Sequence, residues 1–279
     1  MIESRMSREI DNKVLDRLDA WEKDSLPTPI ELYIRLTRIQ TEAKSHITIR
    51  KTQLSPKVIA ERLSRYTPLL TFDDLDLDWP EIKNLFREAL SVISEYSDSV
   101  DPQRDIPLKD IARAWYEGKP LPKLGIDEDT LLVALQTALK PFLAAHADAF
   151  LPEVKQERWR RGYCPICGSR PNFAFLSKEQ EGARWLICAR CDAEWLFQRL
   201  KCPFCGLEEQ KSLAYFTDDK GIYRVYVCEQ CKGYLKAIDL RQAEPEVLLP
   251  LEWIATLDLD RQACELGYTA GDLNPAKRT

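Results

Sequence analysis

The stretch that decides the fold reads Cys164-Pro-Ile-Cys167-Gly168, then Cys188-Ala-Arg-Cys191, then Cys202-Pro-Phe-Cys205-Gly206, then Cys228-Glu-Gln-Cys231. The first and third pairs share the form C-P-x-C-G and the second and fourth do not, so the chain carries a tandem repeat with a period of 38–40 residues. Two cysteines three residues apart on a tight turn can aim both sulfurs at one ion, while N–H groups of the same turn donate to the thiolates. Pro165 and Pro203 preset the turn, and Gly168 and Gly206 can take the positive φ that closes it. Two such knuckles at the ends of a short hairpin supply a tetrahedron of thiolates, the geometry of Zn²⁺ or of a single iron. The repeat favours joining the first pair to the second and the third to the fourth. A cross-braced pairing, first with third and second with fourth, stays open.

A redox-active C-x-x-C is expected once, at a helix N-terminus after a strand, rather than four times in register. Disulfides are disfavoured because the charged start of the chain, MIESRMSREIDNKVL, has no apolar core of the kind a secretory signal needs. The expected location is the cytoplasm. Membrane insertion is not expected, since no apolar run approaches the roughly 18–20 residues of a span. With all eight paired cysteines as ligands both ions would be closed to water, which argues against an enzyme. No phosphate-binding glycine loop, dinucleotide fingerprint or nucleophile elbow is present.

Upstream of Cys164 there is no cysteine, and the pattern is helical. Trp79, Ile82, Phe86, Ala89 and Ile93 recur at steps of three and four, with Asp78 as N-cap before Trp79 and Pro80. Further helices are expected at about 29–46 (Leu32, Leu36, Ile39, Ala43) and 127–150 (Leu135, Leu139, Phe142), with shorter ones at 8–23, 55–66 and 106–117. Pro68, Pro102, Pro107, Pro120 and Pro122 punctuate them. Around the cysteines the period shortens: 184–187 and 222–227 read as strands that lead straight into knuckles. Leu251, Ile254, Leu257 and 261–266 form a final amphipathic segment.

The expected fold is therefore α+β. A helical domain at 1–160 precedes two tandem rubredoxin-like or zinc-ribbon-like modules of short antiparallel strands, at 161–200 and 201–241. A helical tail at 242–279 closes the chain. His46 and His146, the two histidines, continue apolar stripes and read as core residues with one hydrogen-bonded nitrogen, the alternative being a shared pocket. Cys264, the ninth cysteine, reads as a small buried hydrophobe of the last helix. The basic run at 155–161 reads as a solvated hinge, with contact to an acidic partner or nucleic acid as the alternative.

Tyr163-Cys-Pro-Ile-Cys-Gly-Ser169, Cys191-Asp-Ala-Glu-Trp195 leading through Arg199 and Lys201 into Cys202, and Cys231-Lys-Gly-Tyr-Leu-Lys236 resemble the FdhE-type formate dehydrogenase accessory proteins. Gly267-Tyr268 and Asn274-Pro275 add to the likeness, which covers the last 45% of the chain and is faint before it. The resemblance implies a non-enzymatic cytoplasmic factor that binds the molybdenum and iron–sulfur catalytic subunit of formate dehydrogenase before its export by the twin-arginine route. It also implies rubredoxin-like iron binding on the eight cysteines. Lys232 departs from the family pattern, standing where glycine is common, and the chain is shorter before the knuckles.

Two other classes compete with an accessory role. A rubredoxin-like electron carrier or redox sensor requires iron, because zinc has no accessible redox change. A zinc-ribbon nucleic-acid binder would use Arg184, Trp185, Arg199, Lys201 and Arg224. The overall formal charge is −5, and residues 152–241 hold 16 Lys and Arg against 12 Asp and Glu. Four thiolates leave each divalent centre at −2, which cancels that excess, so no nucleic-acid affinity is expected.

Overall fold

The computed structural model describes residues 2–23, 26–48, 54–97, 101–244 and 246–271, with side chains from residue 9 onward. Two compact units emerge. One comprises the residues up to 52 together with 72–146, and the other comprises 53–71 together with 147–277. Asn274 and Pro275 lie outside the described residues.

The first unit is helical: α1 (Ile2–Trp21) and α2 (Thr28–His46), then, after α3 (Pro56–Ser64) of the other unit, α4 (Trp79–Ser94), α5 (Leu108–Glu117) and most of α6 (Glu128–Phe150). Asp78 caps α4 as its chemistry requires, accepting from the Glu81 N–H at 3.2 Å. Ile82, Phe86, Ala89 and Ile93 are buried, as are Ile34, Leu36 and Ile39 of α2 and Leu135, Leu139 and Phe142 of α6. Each of the larger side chains contributes about 1.5–3 kcal/mol by leaving water. His146 is fully buried: one ring nitrogen faces the Phe142 carbonyl at 2.8 Å and Nε2 accepts from the Asp76 N–H at 2.9 Å. His46 corrects the expectation of a core position. It is exposed in the last turn of α2, where the helix has passed beyond its buried stripe.

The second unit is one mixed sheet. After α7 (Gln156–Trp159) come β1 (Pro171–Leu176), β2 (Arg184–Cys188), β3 (Glu194–Phe197), β4 (Leu213–Thr217), β5 (Tyr223–Cys228) and β6 (Gly233–Asp239). They are followed by α8 (Leu249–Ala255), α9 (Leu257–Glu265) and β7 (Thr269–Ala270). The order is β3-β2-β1-β6-β5-β4, with β7 added beside β6. Each repeat is an antiparallel three-strand meander, and the two join through a parallel β1–β6 pairing that sets Phe173 opposite Lys236 and Leu176 opposite Asp239.

Every residue of β6 is buried, so it shows no polar–apolar alternation and hides two charges. Lys236 Nζ donates to the Trp253 and Thr256 carbonyls at 3.0 Å each and to Asp260 at 2.5 Å, which fastens α8 and α9 to the sheet. Asp239 is enclosed by Arg224 and Arg241, both at 2.7 Å. The terminal helices cover Val225, Val227 and Tyr234 with Leu259 and Ala263. Cys264, the residue after Ala263, faces outward and is exposed, contrary to the buried position expected for it. Among the described residues no helix is long and apolar enough to cross a membrane.

Candidate metal centres

The four knuckles share one backbone design. The N–H four residues after the leading cysteine returns to that cysteine's carbonyl: Gly168 to Cys164 at 3.0 Å, Asp192 to Cys188 at 3.2 Å, Gly206 to Cys202 at 3.0 Å and Lys232 to Cys228 at 2.8 Å. All four closing residues have positive φ, 75° and 78° at the two glycines, 54° at Asp192 and 55° at Lys232. Lys232 therefore closes its knuckle as a glycine would, at a conformational cost of about 1–2 kcal/mol for a residue with Cβ. The N–H two residues after each leading cysteine points at its sulfur, from Ile166 at 3.3 Å, from Arg190 at 3.4 Å, and from Phe204 and Gln230 in the second repeat.

These turns bring the eight predicted sulfurs into two groups. Cys164, Cys167, Cys188 and Cys191 form one and Cys202, Cys205, Cys228 and Cys231 the other, with all Sγ atoms of a group within 4.8 Å of one another. Across the hairpins Cys164 is 3.6 Å from Cys191, Cys167 is 3.4 Å from Cys188, and the Cys202–Cys231 and Cys205–Cys228 pairs are each 3.7 Å apart. A disulfide needs about 2.05 Å, whereas a tetrahedron of sulfurs at about 2.3 Å from a metal has edges of about 3.8 Å. The donor set and its spacing thus fit a tetrathiolate ion. Burial pushes the thiols of Cys164 and Cys191 well up and raises Cys231 to about 11. Four thiolates brought together out of water call for a cation, and a bound metal reverses the proton preference.

Several supports were not legible in the sequence. The first knuckle is anchored by residues before α4: Leu69 and Leu70 donate backbone N–H groups to the Pro165 and Ile166 carbonyls at 2.8 and 2.9 Å, and Tyr163 Oη donates to the Tyr66 carbonyl at 2.8 Å. Arg170 bridges the two repeats, donating from one Nη to the Pro203 and Phe204 carbonyls at 3.0 Å. At Gly162 a Cβ would stand 1.9 Å from the Pro203 oxygen, so only glycine permits this approach.

The basic run is part of this architecture. Gln156 accepts from the Leu196 N–H at 3.1 Å and covers the edge of β3, Trp159 Nε1 donates to the Tyr163 carbonyl at 2.8 Å, and Arg161 lies 3.8 Å over the Tyr66 ring. Trp159 is buried and Gln156 partly so, while Lys155, Glu157, Arg158 and Arg161 stay exposed, so the charges of the run are solvated as expected and its apolar member is packed. Of the cations considered for nucleic-acid contact, Arg184 is buried, with Nη2 on the Gln198 and Lys201 carbonyls, Arg224 pairs with Asp239, and Lys201 pairs with Glu208 at 2.7 Å. Trp195 is fully buried, its Nε1 donating to the Arg161 carbonyl at 2.8 Å. Beside it Glu194 is held out of water near Asp192 and Asp148, which raises its carboxyl to about 7.

Comparison with known proteins agrees with the site. The family model described as FdhE, central domain, matches residues 163–199, which span the first cysteine group. An FdhE homolog of Aquifex aeolicus is 33% identical over 243 residues, covering 82% of this chain and 81% of that protein. Protein FdhE of Escherichia coli O1:K1 is 33% identical over 119 residues, 42% of this chain and 38% of its own length. The crystal structure of the FdhE protein from Pseudomonas aeruginosa shares the fold, with a TM-score of 0.63 and 21% identity over 97% of both chains. On the strength of the likeness to the Aquifex aeolicus relative over about four-fifths of both chains, this chain belongs to the FdhE family.

Proposed function

We propose that this chain is a cytoplasmic, chaperone-like accessory protein that binds the catalytic subunit of formate dehydrogenase during its maturation or activation. The observation that carries the reading is the presence of two tetracysteine groups on one sheet in a chain of the FdhE family. Cys164, Cys167, Cys188 and Cys191 hold one ion in this reading, and Cys202, Cys205, Cys228 and Cys231 the other, each iron of the rubredoxin type or zinc. When bound, such an ion supplies cross-linking free energy and positive charge. The chain contributes the preset turns, the N–H groups aimed at sulfur and, at the first group, the exclusion of water.

The protein acts by docking and not by catalysis, because eight cysteines divided between two ions leave no open coordination position for water or substrate. Pull-down of the full chain against the catalytic subunit in its cofactor-free and mature forms tests the reading. Selective retention of one form is expected, and failure to bind either refutes it. Metal analysis with a visible spectrum on anaerobically prepared protein separates iron from zinc and counts the centres, two per chain being expected.

A further inference from the structure

The two cysteine groups differ in how the fold covers them. In the first, Cys164, Cys167, Cys188 and Cys191 are 0%, 6%, 0% and 1% exposed, and the leading knuckle is tied by backbone hydrogen bonds to the buried Leu69 and Leu70. In the second, Cys202 and Cys228 are buried but Cys205 and Cys231 reach the surface, one from each knuckle. The second group also leans on a different segment. Phe204, inside the third knuckle, is seated against Gly233 and Gly271, where added Cβ atoms would stand 2.9 and 1.9 Å from its ring. Gly271 follows the two-residue strand β7, which is held to β6 by Thr269 donating to the Lys232 carbonyl at 2.8 Å and Gly271 donating to Tyr234 at 3.3 Å.

Resting on the reading that both groups hold an ion, we propose that the centres have different roles: the first is a permanent clamp, and the second is an exchange site opened to solvent by the Cys205–Cys231 edge. Replacement of a thiolate ligand starts with an incoming donor reaching the ion. One metal–sulfur bond then breaks as the new metal–ligand bond forms, and the released thiolate takes a proton from water, with no change in electron count. The second centre offers that approach in the native state. At the first no cysteine is more than 6% exposed, so exchange there waits for local opening of the fold, and such openings span a wide range of free energy. The ligand class is a soft thiolate or chelating donor from a small molecule or a partner's cysteine.

The full chain is loaded with zinc alone, its stoichiometry is measured, and it is then challenged with excess of a chromogenic pyridylazo chelator. In parallel, iodoacetamide labelling is mapped by peptide mass spectrometry, with Cys264, exposed and outside both groups, as the reference thiol. One equivalent is expected to leave at least about 100-fold faster than the other, and Cys205 and Cys231 are expected to be labelled in that fast phase. Release of both equivalents in one phase, or labelling of the first group in the fast phase, overturns the proposal. Loading of fewer than two equivalents refutes the two-ion reading itself and is seen before the chelator is added. Gly271→Ala, which displaces Phe204 without touching a ligand, is expected to quicken the fast phase several-fold and leave the slow phase alone. An equal change in both phases counts against the assignment.

Discussion

Glu194 offers a sharp test of how the sheet is built. Its carboxyl lies mostly out of water near Asp192 and Asp148, and burial is the larger cause of its rise from the ordinary 4.5 to about 7. Between these values the folded chain keeps the proton and the unfolded chain has lost it. The folded state is therefore favoured fully below 4.5, and that advantage is lost progressively as pH rises through about 7. At about 1.4 kcal/mol for each tenfold change in proton affinity, the gap sets a ceiling of about 3 kcal/mol. Glu194→Gln keeps the shape and removes the charge. The variant should match the wild type at pH 5 and exceed it by about 1–3 kcal/mol at pH 8. The assay is guanidinium unfolding of the ion-loaded protein, followed by tryptophan fluorescence at several pH values. Comparing the two proteins at each pH cancels the effect of acid on the thiolates. Parallel pH profiles across pH 5–8 would refute the reasoning.

Lys236→Met keeps the apolar stem but removes the three contacts to Trp253, Thr256 and Asp260; a loss of about 2–4 kcal/mol is expected by denaturant titration, smaller if Asp260 is fully rehydrated. His146 is held below its ordinary 6.5 by burial, so the helical unit should lose stability as pH falls below about 6.5, where the unfolded chain takes up the proton first. Thermal melts should show that slope in the wild type and a flatter one in His146→Gln. Trp195→Phe leaves the Arg161 carbonyl without its 2.8 Å donor and should cost about 1–3 kcal/mol, read by unfolding monitored by circular dichroism. Stripping the ions with a strong chelator should abolish amide protection in β1–β6 well before the core of α4 and α6, as followed by hydrogen exchange.

Much of this was legible because the residues carry their own periodicity or chemistry. Asp78, Pro80 and the stripe from Ile82 to Ile93 define α4 locally, and the C-x-x-C spacing fixes the turns wherever the rest of the chain goes. What escaped depends on distant partners. β6 is buried on both faces, so it lacks the alternation that marks a strand in sequence, and Lys236 and Asp239 meet Asp260 and Arg224 only in the folded chain. Leu69 and Leu70 belong to an irregular segment whose role exists only once the first knuckle is hydrogen-bonded to it. Cys264 and Ala263 are adjacent on α9, and the sequence pattern did not separate the buried position from the exposed one. Asp192 and Lys232 show that a knuckle can close without glycine, which no propensity scale would favour.

The parallel β1–β6 pairing imposes an order in time. Ala174 on β1 waits for Ala237 on β6, some 60 residues later in synthesis. At about 5–20 residues per second, the inner edge of the first meander emerges and stays unpaired for roughly 3–12 seconds. An unpaired edge of that kind is a template for wrong strand pairing, so the nascent chain is most exposed to aggregation in this interval. An ion captured early by Cys164, Cys167, Cys188 and Cys191 would hold the meander in register until its neighbour arrives. If the proposed ions bind during translation, their supply would set the yield of folded protein as well as its final content of ions.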